Sequence, residues 1–256
     1  MLPQLAVCIP AYEMGGKGAA FLRHCLESLV VQRGCSFEVI VSDQCSDGSI
    51  RDVCASFSER LSIRRVDGTF VKRSASANLS VAIDSSRANT VKVLFQDDYL
   101  IEPESLSETL AVMTSRGGGW AVCGSRDVDG SLRATAKRIP RFHDSIHFGR
   151  NTISSPSVLA FRKHADLVFD RSLEWLMDVD FYYQAFLLYG PPLIIEGCHV
   201  ANRLHVHQVS QRIDTETILQ ELSWVRSKYR HIESSAQRRE YYRQYFKNRV
   251  KKWLKA

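Results

Sequence analysis

Apolar residues along this chain come in short blocks, and the blocks follow two periods. Leu5-Ala6-Val7-Cys8-Ile9, Phe37-Glu38-Val39-Ile40-Val41, Leu61–Val66, Val91–Phe95 and Trp120–Gly124 are too short for helices. They predict strands, most of them apolar enough to be buried on both faces. Between them Phe21, Leu22, Cys25, Leu26, Leu29 and Val30 share one helical face, as do Ala75, Leu79, Ala82 and Ile83. Further helices are predicted over 50–60, capped by Ser49, and from Pro103 to Thr114, with Pro103 in the first turn. Strand and helix alternate four times, which predicts an α/β fold built on a mostly parallel sheet with right-handed crossovers.

The pattern loosens after residue 125. Residues 127–157 are polar, with Lys137, Arg138, Arg141, His143, His147 and Arg150, and read as a long functional loop with short elements. Strands are predicted at 158–161 and 193–196, a helix from about Asp178, and a short alternating run at 202–207. From Ile213 the chain turns helical, with Leu219, Leu222, Val225, Tyr229 and Ile232 spaced by three and four. After a break near Ser234-Ser235, Tyr242, Phe246, Val250, Trp253 and Leu254 form an apolar stripe.

Charge changes the picture mainly at this end. Residues 226–256 hold eleven Lys and Arg against two Glu, so they carry +9 and the rest of the chain about −3 of the net +6. The stripe, flanked by Arg243, Lys247, Arg249, Lys251, Lys252 and Lys255, fits a helix lying on an anionic membrane surface. It fits equally a terminal helix packed on the body with a solvated basic face. At 256 residues and 45% hydrophobic the chain can build a sizeable core. It has no apolar stretch of membrane-spanning length, and Met1-Leu2-Pro3-Gln4 does not open a secretory signal, so a cytoplasmic location is expected. Seven scattered cysteines without a Cys-x-x-Cys pair argue against a disulfide scaffold or a zinc site.

Candidate chemistry gathers at strand ends. The run Val91–Phe95 stops at Gln96-Asp97-Asp98, and in an open α/β sheet ligands bind beyond the carboxyl ends of strands. Two hard oxygen donors there suit Mg2+ or Mn2+ held together with substrate phosphates, although Asp-Asp is also common turn chemistry. Asp43 ends the second strand in the same way, whereas Asp47-Gly48-Ser49 is explained by a turn and a cap. Asn78 is a cap, a surface residue or a ligand contact. Gly15-Gly16-Lys17-Gly18 lacks the spacing of a phosphate loop. Asp178 at the start of an apolar helix can cap free N–H groups, but that does not account for Asp180 as well. His205 and His207 form a His-x-His pair suited to a metal or to a surface.

Read together, Ile9-Pro10-Ala11-Tyr12-Glu13, Val41-Ser42-Asp43-Gln44-Cys45-Ser46-Asp47-Gly48-Ser49, Phe95-Gln96-Asp97-Asp98 and Trp175-Leu176-Met177-Asp178-Val179-Asp180 resemble the successive motifs of family 2 glycosyltransferases with the GT-A fold. The resemblance spans roughly residues 5–210. It implies a Rossmann-like domain over 1–212, with 1–100 as the nucleotide-binding half and 101–212 as the acceptor-binding half, followed by a basic helical extension over 213–256. It further implies inverting, hexosyl-type transfer from a UDP-, GDP- or dTDP-sugar to an acceptor hydroxyl. On the matching positions Pro10, Tyr12, Glu13 and Asp43 would hold the nucleoside, Asp97 would lie near the ribose and sugar, and Asp98 would bind Mn2+ or Mg2+. Asp178 would be the catalytic base, with Asp180 as its rival. Arg203-Leu204-His205 resembles the late Arg-x-His motif of bacterial members, which makes His205 a metal or diphosphate candidate beside Arg203 and His207. Two positions depart from the pattern: Gln96 stands where Asp is common and Met177 where Glu is usual. Ser154-Ser155-Pro156-Ser157 and the basic tail look like bacterial members that build O-antigen or capsule on a lipid carrier. That likeness implies a peripheral place on the inner face of the plasma membrane.

Other classes fit parts of the pattern. The +9 tail with interleaved aromatics would suit a non-catalytic nucleotide-sugar or nucleic-acid binding module. A nucleic-acid partner is not expected, because the body is acidic and its acids sit at strand ends. A nucleotidyltransferase would share the sheet and the metal, but it calls for a basic glycine-rich phosphate loop near the N-terminus.

Overall fold

The computed structural model describes residues 2–206, 208 and 212–255. Four strands, Leu5–Ala11 (β1), Phe37–Asp43 (β2), Ile63–Asp67 (β3) and Thr90–Val93 (β4), pair in parallel in the order β3-β2-β1-β4. They alternate with helices Gly18–Val30 (α1), Ser49–Ser56 (α2) and Ala75–Ser85 (α3). Right-handed crossovers carry α1 and α2 to one face as the chain steps outward from β1 to β3. The chain then returns over the other face through α3, which packs on β1 and β2, to place β4 beside β1. The loops leaving β1 and β4 therefore diverge at a topological switch point, where a crevice opens.

The second half is mixed rather than parallel. Ser105–Ser115 (α4) follows the two-residue strand Tyr99–Leu100 (β5), and Trp120–Val128 (β6), Ala134–Arg138 (β7), Leu159–Arg162 (β8) and Leu193–Arg203 (β9) complete a nine-stranded sheet. β8 lies between β4 and β6 and is antiparallel to both, whereas β6 and β9 are parallel. The expected parallel pairing thus holds for β1 to β4 and again for β6 with β9, and β8 interrupts it. The strand at 193–196 and the run at 202–203 are one strand, β9, whose register against β6 slips twice near Gly124.

Three local expectations are corrected. Gly48, not Ser49, precedes α2, in the left-handed region at φ 77°, and Asp47 Oδ1 accepts the Ser49 N–H at 2.8 Å. α2 ends at Ser56, short of residue 60. The segment 127–157 carries short elements as expected, the β6–β7 hairpin among them, but it also enters the core, with Ile146, His147 and Phe148 buried. His147 stacks on Tyr183 with ring centroids 3.8 Å apart, and burial lowers its pKa to about 3.

One apolar core runs under the whole sheet, and it includes residues of the C-terminal helices Thr215–Tyr229 (α6) and Ser235–Lys255 (α7). Leu222 and Val225 of α6 are fully buried, and Tyr229 of α6 packs edge-on against Tyr183 of Met177–Tyr189 (α5). All seven cysteines are free thiols, and Cys8 and Cys123 fill the core. Among the described residues no helix is long and apolar enough to cross a membrane.

Candidate active site

A cleft of about 520 Å3 opens at the switch point. One wall comes from the loop after β1, with Pro10, Tyr12 and Met14, and from the start of α3, with Ser74 and Asn78. The floor is Phe95-Gln96-Asp97-Asp98, where the chain leaves β4. The far wall joins the turn at Asn151–Pro156 to Glu174 and Asp178 in front of and within α5.

The floor is held by hydrogen bonds from distant segments. Asp98 is 5% exposed, and its Oδ1 accepts the Arg203 N–H at 3.1 Å while Ser155 Oγ lies 3.1 Å from its Oδ2. Burial first, and then the charge of Asp97, push the Asp98 carboxyl up to about 7. The Asp98 oxygens accept from a backbone N–H and a hydroxyl, and hard oxygen donors of this kind beside a second carboxylate fit a divalent cation. Among the described residues no three carboxylate, imidazole or thiolate groups complete a ligand set by themselves. Mg2+ commonly accepts that situation, taking the rest of its ligands from phosphate and water.

His205 Nε2 lies 2.8 Å from Asp97 Oδ2, and its ring packs on Phe21. Arg203 Nε donates to the Asp97 carbonyl at 3.1 Å, and its guanidinium stacks between Phe21 and Tyr99. Both residues thus touch the acid pair directly. His207 lies outside the described residues.

Gln96 explains one departure from the family pattern. Its Oε1 accepts the Tyr12 N–H at 2.6 Å and its Nε2 donates to the Tyr12 carbonyl at 2.9 Å. The side chain that could have been a third acid instead ties the floor to the β1 loop. A Cβ at Gly18 would meet the Tyr12 carbonyl oxygen at 2.0 Å, so this close approach requires glycine.

On the wall formed by β1 and α3, Asn78 Nδ2 donates to the Ala11 carbonyl at 3.0 Å, while among the described residues neither its buried Oδ1 nor Ser42 Oγ has a partner. Asp43 sits deeper than the lining residues. Its Oδ2 accepts from Arg65 Nε at 2.6 Å and its Oδ1 from the Cys45 N–H at 2.8 Å, which uses two of roughly four acceptor positions. Gln44, next to it, lines the cleft and bridges the Gly68 and Lys72 carbonyls. Glu13 pairs with Arg73 at the rim, and its buried Oε2 has no hydrogen-bond partner among the described residues.

Asp178 lies in the first turn of α5. Its Oδ1 accepts the Val179 N–H at 2.8 Å, and its Oδ2 accepts from Asn151 Nδ2 at 2.8 Å. The residue keeps an opening to the cleft, yet protein surrounds most of its carboxyl, and this burial pushes the group up to about 7 against those hydrogen bonds. Asn151 also clamps Ser154, which sits at φ 138°, a strained value for a residue with a side chain. Asp180 is fully buried and turned away from the cleft. Lys228 Nζ at 2.7 Å, Tyr229 Oη at 2.8 Å and Gln184 Nε2 at 2.8 Å all donate to it. Sequence reasoning missed Asn151, which sits in no apolar run or charged cluster, and it noted Gln96 and Ser155 without the contacts that give them a role.

A larger hollow, about 710 Å3, lies beyond α5 against Asp170, Arg171 and Lys228. Its charges are already matched, Lys228 with Asp170 and Asp180, and Arg171 with Asp84, so it offers no comparable chemistry.

The model of the family described as glycosyl transferase family 2 matches residues 6–189. No curated protein sequence matches the chain. Among solved structures, S. aureus TarS residues 1–349 superposes with a TM-score of 0.71 at 16% identity, over 96% of this chain and 71% of that one. The same fragment in complex with UDP-GlcNAc gives 0.70 at 16% identity, over 87% and 65%. The chain covers 39% of the full TarS structure. The mannosyltransferase PcManGT from Pyrobaculum calidifontis, in complex with GDP-Man and Mn2+, gives 0.58 at 16% identity, over 88% and 64%. The fold is therefore the GT-A fold.

Proposed function

The chain belongs to glycosyl transferase family 2 and is a glycosyltransferase, and on that premise we propose that it performs a metal-dependent, inverting transfer from a nucleotide-sugar to a hydroxyl of a lipid-linked glycan. The observation that carries this reading is the placement of two acid centres in one cleft: Asp97-Asp98 on its floor at the end of β4, and Asp178, with its raised proton affinity, on the far wall in α5.

Pro10, Tyr12, Glu13, Asp43 and Asn78 hold the nucleoside, and the orphan Asn78 Oδ1 is ready to accept from it. Asp98, beside Asp97, would hold Mn2+ or Mg2+, which when bound neutralises charge growing on the departing diphosphate. Arg203 and His205 keep the acid pair in place. Asp178 accepts the proton of the attacking hydroxyl as the new glycosidic bond forms on the sugar face opposite the leaving group. A base whose pKa lies near working pH suits that task.

In a thermal-shift series against UDP-, GDP- and dTDP-sugars, with and without Mn2+, one nucleotide class raises the melting temperature in a metal-dependent way. Ligand at a hundred times its Kd adds about 2.7 kcal/mol. No shift with any of them would overturn the donor assignment. A shift without nucleoside diphosphate release on supplying lipid-linked acceptors would mark a non-catalytic binder.

The C-terminal helix supports the lipid-linked part of the proposal. α7 buries Gln237, Tyr241, Gln244 and Asn248, one face at helical spacing. The opposite face presents Tyr242, Phe246, Val250 and Trp253, exposed by 42, 53, 55 and 77%. The side chain of Leu254 lies outside the described residues. A helix that buries its polar side and turns aromatics outward, flanked by Arg243, Lys247 and Arg249, is suited to an anionic membrane surface. Packing on the body and docking on lipid are thus compatible. We expect Phe246→Ser with Trp253→Ser to weaken binding to vesicles of anionic lipid by about tenfold or more, each ring being worth roughly 1.5–3 kcal/mol when fully buried. Unchanged co-sedimentation would end the membrane role.

A further inference from the structure

The turn that leads into α5 is capped from another helix. Leu176 occupies the cap position of α5 and supplies no side-chain acceptor. Glu221 of α6 takes its place: its Oε1 accepts the Glu174 N–H at 2.7 Å, and its Oε2 accepts the Trp175 N–H at 3.0 Å and the Leu176 N–H at 2.8 Å. The carboxylate is 5% exposed, and no cation pairs with it among the described residues. Three charge-assisted bonds from consecutive N–H groups, with a negative charge at a helix N-terminus, fix a turn far more firmly than packing of Trp175 and Leu176 alone.

This turn carries two cleft residues, Glu174 directly and Asp178 one turn of helix later. We infer that Glu221 is a positioning residue for the transfer, holding the 174–178 turn so that Asp178 meets the acceptor hydroxyl. The inference rests on the reading of Asp178 as the base. It also makes α6, which follows the span matched by the family, part of the catalytic apparatus instead of an appendage.

Glu221 also acts through its charge. Burial is the main cause of the high proton affinity of Asp178, and the Glu221 carboxylate adds to it. The other titratable groups around Asp178 are Tyr182 on its own helix, Glu174 in the turn with its partner Lys72, and Arg73, Asp97 and Asp98 across the cleft. Burial raises the pKa of Glu221 itself, while the three N–H groups favour its ionised form.

Two substitutions test this in the full-length protein, with the nucleotide-sugar that gives the thermal shift and with release of nucleoside diphosphate as readout. Glu221→Ala frees the turn and lowers kcat about a hundredfold, the scale of a small misplacement of reacting groups. The donor-dependent thermal shift stays at its wild-type size. Glu221→Gln keeps the shape and one acceptor oxygen, loses less activity, and moves the acid limb of the kcat profile to lower pH, a displacement that a merely structural role would not produce. A folded Glu221→Gln with unchanged kcat and an unmoved acid limb would overturn the inference. Asp178→Asn in the same assay separates the two readings. If it stays active, the base assignment fails; if it is dead while Glu221→Gln matches wild type, only the positioning role fails.

Discussion

Asp178→Asn lowers turnover by about 10³-fold and leaves the donor-dependent thermal shift intact. Positioned general bases contribute on the order of 10²–10⁴ in rate, and nothing else on the far wall can take over the proton. Asn151 is a neutral amide that donates to Asp178, and Glu174 is tied to Lys72 at 3.2 Å. The replacement is nearly isosteric and can still accept the Val179 N–H, so the turn keeps its shape. Donor affinity, assigned to the β1–α3 wall and the floor, survives.

The same carboxyl sets a pH profile. A base works only when ionised, and burial holds Asp178 near 7, above the ordinary carboxylate range. Turnover therefore falls as pH drops through about 7, roughly tenfold for each further unit of pH. Asp180 supplies the contrast. It faces α6 and satisfies Lys228 and Tyr229, so Asp180→Asn leaves a partly buried ammonium without its closest carboxylate and costs stability before chemistry. Full activity in Asp178→Asn with loss in Asp180→Asn, both folded, would move the role to Asp180.

The parts of the fold legible in the sequence are those written in local pattern. β1, β2 and β4 are near-continuous apolar runs because they are buried on both faces, and their abrupt polar ends mark where side chains emerge at the switch point. Asp97 and Asp98 could be singled out for that reason, and Pro10, Tyr12 and Asp178 through their resemblance to the family's motifs; all five line a common cleft. What could not be read depends on partners far along the chain. The insertion of β8 between β4 and β6 is a choice of strand neighbours that periodicity does not encode. Gln96 looks like a lost acid until its amide is seen on Tyr12, 84 residues away. Glu221 is one acid among several on an ordinary amphipathic helix, and only the orphan N–H groups of a distant turn give it meaning. In α7 the periodicity was visible, but which of its two faces packs was not, since aromatic residues ordinarily go inward.

Asp98→Asn should change stability and ligand response in opposite directions. In the protein without cation, Asp98 is buried beside a second carboxylate, and its pKa is raised to about 7. A carboxyl whose folded pKa lies above its unfolded value binds its proton more tightly when folded, so its contribution to stability declines as pH rises from about 4 to about 7. Above that window wild type bears the full cost of the buried charge, on the order of a few kcal/mol. Asparagine can still accept the Arg203 N–H without bearing a charge. The variant's melting temperature at pH 8 without metal is therefore equal to or above wild type, and at pH 4 the difference disappears. A divalent cation reverses the order, because it turns the cost of two neighbouring carboxylates into attraction that only wild type can offer. Wild type then shows a Mn2+-dependent rise in melting temperature with its nucleotide-sugar. The variant shows little or none, and its turnover drops by about 10²-fold or more with the loss of several kcal/mol of charge neutralisation on the leaving diphosphate. A full Mn2+-dependent shift in Asp98→Asn would place the cation elsewhere. A melting temperature well below wild type at pH 8 would show that Asp98 already has a positive partner, and the acid pair at the end of β4 would then be a structural feature of the floor.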